Sequence, residues 1–82
     1  MSYEKVTQAK RYIIGTKQSV KALKTGEVAE LVVASDADLR IVAGALMAAK
    51  EAGTAISYAD SMEKLGKACG INVGAATVAI LK

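Results

Sequence analysis

Residues 30–35, with the sequence ELVVAS, most restrict the fold that this chain can adopt. They form an apolar, largely β-branched run in which polar and apolar residues do not alternate. A strand with one face in water alternates, whereas a strand covered on both faces reads as a continuous apolar run. Covering both faces of a sheet requires a helical layer on each side. The run therefore predicts a layered α/β protein.

Extended and helical patterns alternate along the rest of the chain. Three further strands are predicted, at Ile13-Ile14, at 55–59 (AISYA) and at 75–81 (AATVAIL). Four helices are predicted: residues 2–12, with Val6 and Ala9 facing inward; Thr16 as N-cap to Gly26; Ser35 or Asp36 as N-cap to Gly53, with an inward stripe of Leu39, Val42 and Leu46; and a capping-box-like pair, Asp60 and Glu63, to Gly70.

The composition fits this arrangement. Of the 82 residues 52% are hydrophobic, yet Phe, Trp and Pro are absent and there are three Tyr. The core must therefore consist of small aliphatic side chains at close packing distances. No repeat or linker interrupts the pattern. We expect one domain over residues 1–82, an α/β three-layer α/β/α sandwich with a four-stranded mixed sheet.

Positive charge is concentrated at the start of the chain. Residues 1–24 carry a net charge of +5 and the remainder −2, for a total of +3. Lys17, Lys21 and Lys24 share one face of the predicted second helix, although a helix N-terminus already carries a partial positive charge. This arrangement indicates an anion site directly after Gly15-Thr16. The alternative is an ordinary solvated lysine face.

Catalytic and metal-binding classes find little support in the residues. Histidine is absent, so Ser–His and Cys–His pairs are impossible and a zinc site would lack its usual ligands. Cys69, the single cysteine, reads as a small buried hydrophobe rather than a reactive thiol. Gly66-Lys67 lacks the flanking residues of a phosphate-binding loop. We predict no enzyme activity and no cofactor.

Targeting signals are also missing from the pattern. Charged residues occupy the N-terminus where a signal peptide would be apolar, and the longest apolar run, 41–49, falls far short of the ~18 residues of a membrane span. We expect a cytoplasmic protein without membrane contact, and a monomer.

Three segments resemble the kink-turn RNA-binding family of the large-subunit ribosomal protein L7Ae and its small bacterial members. GTKQSVK, residues 15–21, is similar to the Gly-x-Asn-Glu-x-x-Lys motif that enters the family's second helix. LVVASDAD, residues 31–38, resembles an apolar strand followed by an acidic turn. LGKACGINVGAATVAI, residues 65–80, resembles a Leu-Gly-x-Ala-x-Gly segment, a hydrophobic loop and a Val-Ala-Ile strand. Together they cover most of the chain in the family's order.

The resemblance implies a non-catalytic protein that stabilises kink-turns in ribosomal or regulatory RNA, where a sharp kink opens the RNA major groove beside sheared G·A pairs. Gly15 and Thr16 would allow close backbone approach. Lys17, Gln18 and Lys21 would contact guanine edges and phosphates, and Lys24 would add a phosphate contact. The loop Ile71, Asn72, Val73 and Gly74 would cover an extruded nucleotide, the alternative being a plain surface loop.

Two departures from the family pattern bear on this expectation. Lys17-Gln18 replaces Asn-Glu, so a neutral amide stands where a carboxylate would accept hydrogen bonds from bases. Gly74 stands where relatives often have proline, which predicts a less preorganised loop and weaker binding. The alternative function is a ribosome-associated or protein-interaction module of the same fold with weak RNA binding. A small-molecule-binding domain has no supporting motif beyond glycine-rich turns.

Overall fold

A computed structural model of the chain describes residues 11–82. The strands are β1 (Tyr12–Ile14), β2 (Val28–Ala34), β3 (Ala55–Ala59) and β4 (Thr77–Leu81), and the helices are α1 (Thr16–Lys24), α2 (Leu39–Ala52) and α3 (Met62–Ala68). The strand order is β1-β4-β2-β3. β2 and β3 are parallel, whereas β4 is antiparallel to both of its neighbours. The predicted four-stranded mixed sheet is confirmed.

β2 is buried on both faces, as its apolar run predicts. Leu31 and Val33 pack with α1 and α2 in one core cluster. Val32 and Ala34 point to the other face and pack in a second cluster with Leu65 of α3. Successive side chains of a strand point to opposite faces, so this one strand belongs to both cores. The sheet therefore lies between two helical layers.

The predicted boundaries of several elements are wrong by a few residues. Three helices are seen within residues 11–82. The helix predicted over 2–12 lies mostly outside the described residues, with Val6 and Ala9, while Tyr12 belongs to β1. β2 begins at residue 28 and ends at 34, β3 matches residues 55–59, and β4 begins at residue 77 rather than 75.

All three helix starts differ from the predicted caps. The N-cap of α1 is Gly15 rather than Thr16, and that of α2 is Asp38 rather than Ser35 or Asp36. The N-cap of α3 is Ser61 rather than Asp60 with Glu63. Polar residues adjoin each start, and the path of the chain decides whether one of them accepts a bond from the first turn. Asp38 and Ser61 do so, whereas no side chain does so at Gly15. Glu63 instead pairs with Lys67, at 3.4 Å between Oε1 and Nζ.

The inward stripe of α2 is also shifted. Its buried residues are Val42, Ala45 and Ala49, with Leu46 half-buried against the same cluster. Leu39 is 67% exposed, because it lies to one side of this stripe in the first helical turn. The predicted role of Leu39 in the core is therefore wrong.

Gly66 brings the segment before β4 against α3. A Cβ at Gly66 would clash with the carbonyl oxygen of Val73, so only glycine permits this approach. Ile71 N–H donates to the Gly66 carbonyl at 3.0 Å, and Ala75 N–H donates to the Met62 carbonyl at 3.0 Å. The segment 71–75 is thus fixed to α3 at both ends.

A pair of glycine substitutions tests this packing. Gly66→Ala should lower the melting temperature, since the Val73 carbonyl must move away from α3. Gly44→Ala is the matched control, because Gly44 lies in α2 with open space around the added methyl group. This change should stabilise the protein by about 0.5–1 kcal/mol through helix propensity. Thermal unfolding of both variants is the measurement, and equal shifts in the same direction would contradict the close approach.

Candidate nucleic-acid interface

The start of α1 is fixed by hydrogen bonds on both sides of Gly15. The Gly15 N–H donates to the carbonyl of Thr77 at 2.9 Å. The Gly15 carbonyl accepts from the backbone N–H of Ser19 at 3.1 Å and from its hydroxyl at 2.6 Å. Gly15 has φ of 114°, a conformation that strains residues with a Cβ. A glycine here therefore makes the transition from β1 into α1.

The first turn of α1 presents positive charge to solvent. Among residues 11–82 no side chain caps this terminus. The N–H groups of Thr16, Lys17 and Gln18 have no carbonyl one turn earlier within the helix to bond. Lys17, Gln18 and Lys21 are exposed. Unbonded N–H groups together with Lys17 in the first turn favour an anion at this helix end.

The lysines of α1 have no neutralising partner in the described part of the chain. No carboxylate of residues 11–82 forms an ion pair with Lys17, Lys21 or Lys24. Lys24 lies at the opposite end of the helix, about 12 Å along the axis from Thr16. A cation at that end is favoured by the helix dipole. Lys17 and Gln18 therefore lie in the first turn of α1, next to the end of β1, whereas Lys21 lies closer to Lys24, in the last turn.

The four residues of the predicted loop have different surroundings. Val73 is 70% exposed, and Asn72 and Gly74 are also exposed. Ile71 is half-buried and packs against the core cluster that contains Leu65. Gly74 lies against Met62, which a Cβ on Gly74 would approach at 3.1 Å. Val73 is therefore the apolar side chain that this loop offers to a partner.

The loop and the start of α1 lie at the same edge of the sheet. β1 ends where β4 begins, with Ile14 opposite Val78 and Gly15 bonded to Thr77. The loop leads directly into β4. The hydroxyls of Thr16 and Thr77 share a hydrogen bond at 3.0 Å. The fold therefore brings together two segments that are about fifty residues apart in the sequence.

Two residues at this edge have roles that sequence reasoning missed. Asp36, predicted as a cap of α2, accepts from the N–H of Met62 at 2.8 Å, so the acidic turn caps the start of α3 instead. Thr77 appears in the sequence as an ordinary strand residue. Its partners lie some sixty positions away, and no local pattern indicates such a contact. Gly66 did stand in a quoted motif, but its packing against Val73 required the fold.

Cys69 is buried as predicted, with 7% of its surface exposed. Burial raises the pKa of its thiol, since the thiolate would lose its hydration. The carbonyl of Cys69 accepts a hydrogen bond from the hydroxyl of Tyr12 at 3.0 Å.

Within the described range no three His, Cys, Asp or Glu side chains are grouped to hold a metal ion. No helix of residues 11–82 is long and apolar enough to cross a membrane.

Comparison with known proteins places the chain among relatives of similar length. It is 60% identical over 82 residues to an "RNA-binding protein" of Geobacillus thermodenitrificans (strain NG80-2) and 58% identical to the "RNA-binding protein YbxF" of Geobacillus stearothermophilus, with all of both chains covered in each case. The solved structure of the "Giardia lamblia 15.5kD RNA binding protein" is similar with a TM-score of 0.84 and 25% identity, covering 98% of this chain and 68% of that one.

A family model agrees with these similarities and extends over almost every residue. It is described as the Ribosomal protein L7Ae/L30e/S12e/Gadd45 family and matches residues 2–82. The resemblance inferred from the three sequence segments is confirmed, and the chain belongs to the Ribosomal protein L7Ae/L30e/S12e/Gadd45 family.

Proposed function

We propose that this protein is a non-catalytic RNA-binding protein that recognises and stabilises kink-turns in ribosomal or regulatory RNA. One observation carries the proposal: the uncapped start of α1, with Lys17 in its first turn, and the loop with the exposed Val73 lie at the end of the sheet where Gly15 is bonded to Thr77. Cations suit phosphates, and an exposed apolar side chain suits the face of an unstacked base. The relatives are named as RNA-binding proteins, which supports the same ligand class.

The geometry suggests which part of the RNA each of the two segments contacts. The start of α1 enters the major groove where the kink has widened it, with Lys17, Gln18 and Lys21 at base edges and nearby phosphates. Gln18 offers both a donor and an acceptor, whereas lysine only donates. Lys24 reaches the RNA backbone farther along the groove. Val73 covers the extruded nucleotide while the segment around it stays fixed to α3.

The proposal extends to the setting of the protein. Residues 1–82 act as one RNA-binding domain and as a monomer in the cytoplasm, with the ribosome as a further partner. A protein-interaction module of the same fold is the competing function. Binding to a kink-turn compared with a Watson–Crick duplex separates the two functions.

Shape recognition is tested with two RNA duplexes. One contains a kink-turn with tandem sheared G·A pairs, and the other has the same strands with those pairs changed to Watson–Crick. The protein should bind the kink-turn far more tightly, because the regular A-form duplex keeps its major groove closed. Titration at one fixed salt concentration gives both affinities. Equal affinities would contradict kink-turn recognition and favour the interaction module.

The salt dependence of binding tests the lysine face. The logarithm of the binding constant should fall linearly with the logarithm of salt concentration, by about 0.7–0.9 per neutralised phosphate. Lys24→Ala should make this slope shallower by about one unit. Lys50→Ala removes an exposed lysine from α2 and should leave the slope unchanged. A slope that neither variant alters would remove Lys24 from the interface.

Val73→Ala tests whether the loop covers a base. Val73 is exposed in the free protein, so its truncation should leave the melting temperature nearly unchanged. Affinity for the kink-turn should fall about tenfold, the equivalent of about 1–2 kcal/mol of apolar burial lost from the complex. Val78→Ala is the control. Val78 is fully buried in β4, so this variant should melt earlier while each folded molecule keeps its affinity. Unaltered binding by Val73→Ala would leave the loop as plain surface.

A further inference from the structure

Thr77 is a fully buried polar residue at the point where the two segments of the proposed interface meet. Its carbonyl accepts the N–H of Gly15 at 2.9 Å, and its hydroxyl is bonded to that of Thr16 at 3.0 Å. A buried hydroxyl costs free energy unless it is hydrogen-bonded, and valine would fill nearly the same volume without that cost. The bond to Thr16 avoids this cost, so the buried Thr77 hydroxyl depends on the position of the first turn of α1.

Thr77 is the last of three consecutive residues that are hydrogen-bonded to three different elements. Ala75 donates to Met62 at the start of α3. The carbonyl of Ala76 accepts from Ala34 at the end of β2 at 2.9 Å. Thr77 then contacts the start of α1 through both its carbonyl and its hydroxyl. The loop that ends at Gly74 is thus connected to the first turn of α1 through a short, fully anchored segment.

The hydroxyl pair restrains the first turn of α1 in addition to the backbone bond at Gly15. Gly15 precedes α1 and lacks a Cβ, so its dihedral angles are the least restricted of any residue type. The backbone bond to Gly15 holds the position of the helix start, and the packing of Ala22 and Leu23 in the core holds the body of α1. The hydroxyl of Thr16 is hydrogen-bonded to Thr77 rather than to a nearby backbone group. This second bond, one residue along, adds a restraint on the first turn of α1, in which Lys17 and Gln18 lie.

We propose that Thr77 is a positioning residue for RNA binding, which holds the first turn of α1 in register with the loop at Ile71–Gly74 through its hydroxyl. The inference rests on the proposed function of this surface and adds a residue that contacts no RNA. Without the bond the lysines remain, but the two segments no longer match the kinked RNA together.

The test compares Thr77→Val with Thr77→Ser. Thr77→Val keeps the shape and loses the hydroxyl, so kink-turn affinity per folded molecule should fall about fivefold to tenfold, as for one lost hydrogen bond. Thr77→Ser keeps the hydroxyl and its hydrogen bond, so its affinity should stay within about twofold of the parent's. The salt slope of both should equal that of the parent, because no phosphate contact is removed. Val78→Ala, which reduces stability from the next position of β4, controls for stability alone.

A double-mutant cycle identifies the bond itself. Thr16→Val removes the same hydrogen bond from the other side, and Thr16 is partly exposed, so this variant carries the test if Thr77→Val fails to fold. The double variant should bind no more weakly than the weaker single variant, since both remove one interaction. Additive losses would show independent roles and overturn the inference.

The outcomes separate the two proposals. If the parent prefers the kink-turn but Thr77→Val binds as the parent does, or Thr77→Ser is as weak as Thr77→Val, the positioning role is wrong and kink-turn recognition stands. If the parent does not prefer the kink-turn over the Watson–Crick duplex, the proposed function fails and the inference fails with it.

Discussion

The antiparallel pairing of β4 with both β1 and β2 is the interaction on which the described structure depends. β4 is the last strand in the chain, yet it lies inside the sheet between two strands from the first half. These pairings join residues far apart in the sequence. The chain therefore loses conformational entropy in closing long loops before the strand contacts can compensate for that loss. Once β4 is in place, its first residue is bonded to the start of α1, and the two residues just before it are bonded to the end of β2 and the start of α3. The segment 75–77 therefore fixes the starts of α1 and α3 relative to the end of β2.

This edge of the sheet is also where the sequence breaks a local rule. Lys17 in the first turn of α1 opposes the helix dipole, and no carboxylate in the described part of the chain compensates for it. Such local conflicts are expected at functional sites, since the fold elsewhere supplies the stability. The proposed RNA phosphates would remove the conflict on binding. The far end of the helix shows the opposite situation, because Lys24 there agrees with the dipole.

The loop before β4 shows how rigidity can arise without proline. Gly74 suggests a flexible loop on sequence grounds, but Ile71 and Ala75 are each bonded to α3, and Gly66 lets the Val73 carbonyl approach the helix directly. These contacts restrict the backbone while leaving the Val73 side chain in water. A surface fixed before its partner arrives loses less conformational entropy on binding. In the proposed complex, packing against α3 would preorganise the loop without a proline.

The sequence by itself determined the layered fold, because the apolar run of β2 requires cover on both faces. It also determined β3 and the set of exposed lysines, because hydrophobic pattern and charge are local properties. It pointed to both segments of the candidate interface through the family resemblance. It did not determine the helix caps or the exposure of Leu39, since several neighbouring residues satisfy the same local preference and only the path of the chain selects among them. The bond between Thr16 and Thr77 and the cap that Asp36 places on α3 were decided by tertiary structure alone. Their partners are 61 and 26 residues away, and a hydrogen bond at that separation leaves no periodic trace in the sequence.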